Sequence, residues 1–151
     1  MKTVLFLCTG NYYRSRFAEI LFNWHAAQRG LPWRADSRGL ALDSMNSGHM
    51  SQYTVSRLLQ MKIPVEKYQR TPRDLDLIDL KSAHHVVAVK ASEHRPLISK
   101  RFPDWLNQIE FWEVHDIDCA VPEEALPHLE NEVMELMQRL MDSPSEQCQK
   151  S

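Results

Sequence analysis

Val4-Leu5-Phe6-Leu7 is an unbroken apolar run that extends to Cys8 and stops at Thr9-Gly10-Asn11, the pattern of a central parallel strand covered on both faces and ended by a turn. From Ser15, a residue type suited to capping, Phe17, Ile20, Leu21 and Trp24 follow at helical spacing, and Gly30 stands where a left-handed C-terminal cap belongs. The chain therefore opens as strand, tight polar loop, helix. That grammar repeats. Trp33 to Ser37 reads as a second strand, Ser51 to Met61 as a helix with Val55, Leu58 and Leu59 on one face, Ala83 to Val89 as a third strand, and Gln108 to Trp112 as a fourth. Ser92 to Lys100 reads as a short helix between strands three and four. Leu126, Leu129, Val133, Leu136, Met137 and Leu140 mark a C-terminal helix whose start is left open by Pro122 and Pro127. Asp43 to His49 reads as a surface loop, and residues 142–151 as a polar tail expected to be disordered. Strands alternating with helices predict an α/β fold in three α/β/α layers, a four-stranded parallel sheet with helices on both faces.

Length and composition narrow the class. The 151 residues suit one domain over 1–151, with no internal repeat or linker, and 43% hydrophobic against 25% charged residues is enough for a core without disulfides or a structural metal. Collagen, coiled coil and wholesale disorder are excluded. A net charge of −2 gives no reason to expect a nucleic acid or a membrane as partner. Cys8, Cys119 and Cys148 are too few and too odd in number for a disulfide framework, so a reducing, cytoplasmic setting is expected. The apolar start is too short for a signal-peptide core or a membrane span. No paired metal-ligand spacing exists among the histidines, and His84 and His85 in a strand would face opposite ways; no metal or organic cofactor is expected.

In open parallel sheets, ligands bind at the carboxyl ends of strands, which directs attention to Cys8-Thr9-Gly10-Asn11-Tyr12-Tyr13-Arg14-Ser15. Amides of such a loop converge on one point, and the unsatisfied N–H groups and dipole of the following helix make that point an anion site. Arg14 adds a planar fork able to grip two oxygens of a phosphate or similar oxyanion. A thiol at the base of this cradle is expected to fall below the ~8.5 of a free cysteine and to act as a nucleophile in line with a bound phosphate. Chance supplies Cys-x5-Arg-Ser/Thr after a given cysteine of this chain in under about 1% of cases.

The segment VLFLCTGNYYRSRFAE resembles the N-terminal signature of the low-molecular-weight protein tyrosine phosphatases, which usually reads VLFVCxGNxCRSPxAE. The likeness continues more weakly through Ala35 to Gly39, Arg70 to Leu80, the HHVVAV stretch and the region of the fourth strand. It implies the phosphotyrosine phosphatase I-like fold and a phosphomonoesterase working through a cysteinyl-phosphate intermediate. Cys8 would be the nucleophile and Arg14 the phosphate clamp. Thr9, Gly10, Asn11, Tyr12, Tyr13 and Ser15 would bind the phosphate or line its loop, Asn11 bracing it and the Ser15 hydroxyl stabilising the thiolate. Partners implied are a phosphorylated protein or small phosphate ester.

The family's general acid is the aspartate of an Asp-Pro-Tyr turn after the fourth strand. Here Asp116 falls at that position, followed by Ile117 and Asp118 in place of proline and tyrosine, and Asp118 is the weaker alternative acid. Tyr13 stands where most relatives carry a second cysteine able to form a protective disulfide, so Cys8 lacks that shelter from oxidation. Tyr12 and Tyr13 are candidate aromatic walls for a flat phenyl phosphate. Cys119 is a distant candidate for a resolving thiol. Two rival readings keep the loop and change its chemistry. One is an arsenate reductase-like thiol enzyme, and the other a phosphate- or phosphoprotein-binding module that has lost turnover through its altered acid loop.

Overall fold

The computed structural model describes residues 1–142. Four strands, β1 (Lys2–Cys8), β2 (Trp33–Gly39), β3 (His85–Ala88) and β4 (Glu110–Phe111), form a sheet in the order β2-β1-β3-β4. All its pairings are parallel. Among the described residues five helices accompany them: α1 (Arg14–Arg29), α2 (Gln52–Gln60), α3 (Leu77–Ser82), α4 (Ala91–Arg101) and α5 (Pro122–Asp142). Short 3₁₀ turns occupy Val65–Tyr68 and Pro103–Gln108.

Side chains alternate across a strand, and β1 feeds two cores. Val4, Phe6 and Cys8 join Phe17, Ile20 and Leu21 of α1, Leu58 of α2, and Leu129, Val133 and Leu136 of α5. Leu5 and Leu7 join Leu80 of α3 and Ile98 of α4 on the opposite face. The expected three-layer α/β/α arrangement is therefore observed, with α1, α2 and α5 on one face and α3 and α4 on the other.

Several boundaries differ from the sequence reading. Ser15 is not the cap of α1: the N-cap is Tyr13, whose side chain makes no capping bond, and Ser15 is already the second helical residue. Its hydroxyl is engaged in the loop instead. Gly30 does close α1, at φ 64°, a left-handed conformation that costs a glycine little. The fourth strand shrinks to Glu110–Phe111 because Pro103–Gln108 winds into a 3₁₀ turn just before it. Pro122 begins α5, where its missing N–H is harmless, and Pro127 lies within the helix. Asp142 is the last residue of α5 rather than part of a tail; the expectation of disorder for 143–151, Cys148 included, falls outside the described residues.

This topology creates the site. The chain leaves β1 toward β2 on one side and β3 lies on the other, so the carboxyl ends of β1 and β3 flank the switch point where open α/β sheets bind ligands. Gly39, opposite Cys8 in the ladder, is required there: a Cβ would stand 2.9 Å from the Thr9 carbonyl oxygen. Only a glycine lets β2 approach the loop that closely.

Candidate active site

The loop from Cys8 to Ser15 curls between the end of β1 and the start of α1, with Cys8, Asn11, Arg14 and Ser15 buried. Among the described residues, no hydrogen bond is donated by the backbone amides of Gly10, Asn11, Tyr12 or Tyr13. Turn amides left open beside a helix N-terminus form an anion cradle.

Asn11 holds the curl. Its φ of 49° is left-handed, a region that asparagine tolerates better than most residues. Its side chain repays that strain fully: Nδ2 donates to Ser15 Oγ (2.9 Å) and Ser37 Oγ (2.8 Å), while Oδ1 accepts from Arg70 Nη1 (3.0 Å) and the Arg73 amide (2.9 Å). Both donor hydrogens and both lone pairs are used. Ser15 Oγ, accepting from Asn11, keeps its own hydrogen for Cys8 Sγ, 2.8 Å away. The serine thus turns a donor toward the sulfur.

Arg14 is anchored by the start of α4 and by the segment that follows β4. Nη1 donates to the Val114 carbonyl (3.0 Å) and Nη2 to Glu93 Oε2 (2.8 Å), with Asp116 Oδ2 at 3.4 Å. Nε is buried with no partner among the described residues. Burial works against the charged guanidinium, but Cys8, Glu93 and Asp116 outweigh it and raise its pKa further. Burial likewise pushes the Glu93 carboxyl up, yet hydrogen bonds from His94, Arg14 and Thr9 prevail and hold it well below the usual carboxylate range.

A proton order follows. The Lys90 amide donates to His94 Nδ1 (3.1 Å), so the ring carries its hydrogen on Nε2, which faces Thr9 Oγ1 at 3.1 Å; Thr9 Oγ1 in turn donates to Glu93 Oε2. Burial lowers the His94 pKa, which favours this neutral tautomer. Behind the loop, a second network joins Arg16 to Glu19 (2.7 Å) and to the Tyr68 carbonyl, and Arg70 Nη2 to Glu19 (3.0 Å) and Ser37 Oγ (2.9 Å).

Above the loop lies a cleft of about 330 Å³ whose lining includes Cys8, Thr9, Gly10, Tyr12, Tyr13 and Arg14. Asp116 and Ile117 close one side, and Asp43, Asn46 and Tyr53 the other. Asp116 anchors its own turn, its Oδ1 accepting from the Ile117 amide (2.8 Å) and its carbonyl from those of Cys119 and Ala120. Asp118 is exposed in that turn and does not line the cleft. Tyr12 Oη donates to the Ser47 carbonyl (2.6 Å), tying the loop after β2 to the Cys8–Ser15 loop. Tyr13 packs edge-on against Tyr53, with its hydroxyl buried and unpartnered among the described residues. Burial, with the nearby Asp116 adding to it, pushes that phenol up to about 12, so it keeps its proton across the physiological range.

Of the sequence-derived residues that are described, then, only Asp118 and Cys119 stand apart from the loop and its cleft. Cys119 is exposed, with Lys90 Nζ 3.6 Å from its sulfur. Glu93, His94, Arg70 and Tyr53 escaped sequence reasoning; for Tyr53 the available signal was an aromatic at the start of a capped helix beside a loop. Among the described residues no group of three or more His, Cys, Asp or Glu side chains is placed to hold a metal ion, and no helix is long and apolar enough to cross a membrane.

Comparison with known proteins agrees with the geometry. The family model for low molecular weight phosphotyrosine protein phosphatases matches residues 3–147. The structure of a low molecular weight protein tyrosine phosphatase from T. tengcongensis is similar, at 26% identity and TM-score 0.78, covering 92% of this chain and 99% of that one. YfkJ from Bacillus subtilis superimposes with TM-score 0.82 at 23% identity, covering 95% and 97% of the two chains. A thioredoxin-dependent arsenate reductase from Corynebacterium glutamicum shares the fold at 17% identity and TM-score 0.71, covering 95% of this chain and 63% of that one. No curated protein matches significantly.

Proposed function

Because this chain belongs to the low molecular weight phosphotyrosine protein phosphatase family and is a hydrolase of that type, we propose that it cleaves aromatic phosphomonoesters, phosphotyrosine foremost, with Cys8 as nucleophile. The observation that carries this reading is the pairing of Cys8 Sγ with Ser15 Oγ at 2.8 Å beneath open loop amides, beside a buried guanidinium whose Nε–H has no partner among the described residues. An orphaned charged donor next to a nucleophilic sulfur calls for an oxyanion.

In the proposed sequence, the Cys8 thiolate attacks phosphorus, the P–S bond forms as the P–O ester bond breaks, and Asp116 gives its proton to the departing oxygen. Arg14 and the loop amides stabilise the charge spread over the phosphoryl oxygens. Asp116 then takes a proton from the water that attacks the cysteinyl phosphate; phosphate leaves and the thiolate returns, accepting the Ser15 hydrogen bond. Asp116 rather than Asp118 is assigned the proton because its carboxylate borders the cleft, 3.4 Å from Arg14. The tyrosine rings at the cleft suit a flat phenyl group. Among the described residues Cys8 is the one cysteine lining the cleft, which supports hydrolysis over thiol-relay reduction of arsenate.

The test is turnover of para-nitrophenyl phosphate. Wild-type protein is expected to hydrolyse it, Cys8→Ser to be inactive, and Asp116→Asn to lose about 10² to 10⁴ in kcat while Asp118→Asn stays close to wild type. Vanadate binding without any wild-type turnover would replace the enzyme by a phosphate-binding module.

A further inference from the structure

The cleft does not end at its walls. Tyr53, which lines it, also lines a second groove of about 160 Å³ between α2 and α5, floored by Pro122, Leu126 and Pro127. Large exposed apolar side chains neighbour the lining residues along the chain, and Ile117 is itself a lining residue. Leu42 and Met45 project from the loop whose Asp43 and Asn46 line the cleft; Ile117 and Val121, 49% and 52% exposed, project from the turn that carries Asp116. Apolar surface therefore runs from the reaction centre over Tyr53 into the groove, where a small ester has no use for it.

Charge at the mouth is one-sided. Asp43 and Asp116 line the cleft and Glu123 lines the groove, with Asp118 and Glu124 next to them in the chain. Among the described residues the sole cation lining the cleft is Arg14, buried beneath the phosphate position, and the sole one lining the groove is Arg57, held by Glu130 at 3.0 Å. Asp116 faces Arg14 at 3.4 Å, but Asp43 and Glu123 have no ion-pair partner among the described residues, so an incoming acidic side chain meets uncompensated carboxylates at those two positions and a basic one finds partners.

We propose that this rim is a docking surface for a polypeptide, and that the phosphorylated residue entering the cleft is flanked in its own chain by apolar and basic side chains. The inference rests on the phosphatase reading and names its substrate class: a protein segment with Leu, Lys or Arg near the phosphoresidue, with an apolar neighbour seated in the α2–α5 groove.

Binding and turnover test it separately. Three phosphotyrosyl peptides differing only in their flanks, Leu/Arg, Ser/Gly and Asp/Glu, are titrated calorimetrically into the full-length Cys8→Ser protein, and the same peptides and para-nitrophenyl phosphate are given to wild type. Affinity and kcat/KM are expected to fall in that order, by about tenfold from first to last, and the charge-dependent part to shrink as salt is raised. Glu123→Gln is expected to narrow the basic-over-acidic preference, and Ser56→Trp, which fills the groove, to remove the advantage of Leu, both with para-nitrophenyl phosphate turnover unchanged. Equal Kd values for the three peptides, or a ranking that survives both substitutions, overturns the docking surface. So does a sedimentation result in which the rim is covered by a second copy of the chain. Loss of para-nitrophenyl phosphate turnover in wild type bears on the phosphatase reading instead, since the peptide ranking is read in binding.

Discussion

Asn11 concentrates the local problem of the loop: a left-handed residue, fully buried, whose amide must satisfy four neighbours at once. Two of those bonds reach Ser15 and Ser37, and a third comes from Arg70, itself tied to Ser37 and Glu19. Burial draws the Arg70 pKa down while Glu19 supports the charge, so the guanidinium is a working part of the brace and not a solvated surface group. Arg70→Met keeps the aliphatic stem and removes the bonds. It is expected to lower the denaturant midpoint by the equivalent of about 2 kcal/mol, and to reduce kcat more than it raises KM, with Arg70→Lys restoring part of both. Unchanged kcat would remove Arg70 from the support of the loop. Cys8, Asn11, Arg14 and Ser15 were legible because they lie within eight consecutive positions and have a chemical pattern. Their supports were not: Arg70, Glu93 and Val114 stand 59, 79 and 100 residues from their partners, and separations of that kind leave no periodicity to read.

Among the elements, β1 and α1 were the easiest to foresee, since an unbroken apolar run and a helical stripe each have one interpretation. α3 was missed. Its six residues are too few for a period, and its signal is a capping box between Asp76 and Asp79, with aspartate where glutamate or glutamine is the usual mark. The edge strand β4 was over-read at its start, where Pro103–Gln108 winds into a 3₁₀ turn, and its two residues are held by one side chain as well as by the ladder. Glu110 accepts from His85 of β3 (2.9 Å), from Trp112 (2.6 Å) and bidentately from Arg139 of α5 (3.0 and 2.7 Å). Burial pushes its carboxyl up, but these bonds outweigh it and hold the pKa well below the ordinary range. With the folded value under the unfolded one of about 4.3, the network stabilises fully above that value and loses its contribution as pH falls through the acid range. Wild type is therefore expected to lose more stability than Glu110→Gln between about pH 5 and pH 3 in urea titrations, although Glu93 gives both proteins a residual slope of the same sign. Parallel curves would show that Glu110 does not carry this linkage.

At the scale of the whole molecule, the four-stranded parallel sheet and the three layers followed from alternation of strand and helix, whereas the strand order and the meeting of the loop after β2, α2 and the turn after β4 as one roof are long-range arrangements that alternation does not encode. Floor and roof differ in how they are built. β1 is hydrogen-bonded to a strand on each side, gives its odd and even residues to separate cores, and ends at Cys8. The loop and turn of the roof expose Met45 at 85% and Ile117 at 49% and, among the described residues, have no ladder partners. This division has a consequence in time. Opening β1 to solvent requires breaking both cores, which is global unfolding, whereas the roof opens by local fluctuation. Amide hydrogen exchange in the native protein is expected to be slowest at Val4 to Leu7 and faster by orders of magnitude over Leu42 to Gly48 and Ile117 to Ala120. The Cys8 sulfur would then stand still on the scale of hours while the walls around it open and close many times in the same interval.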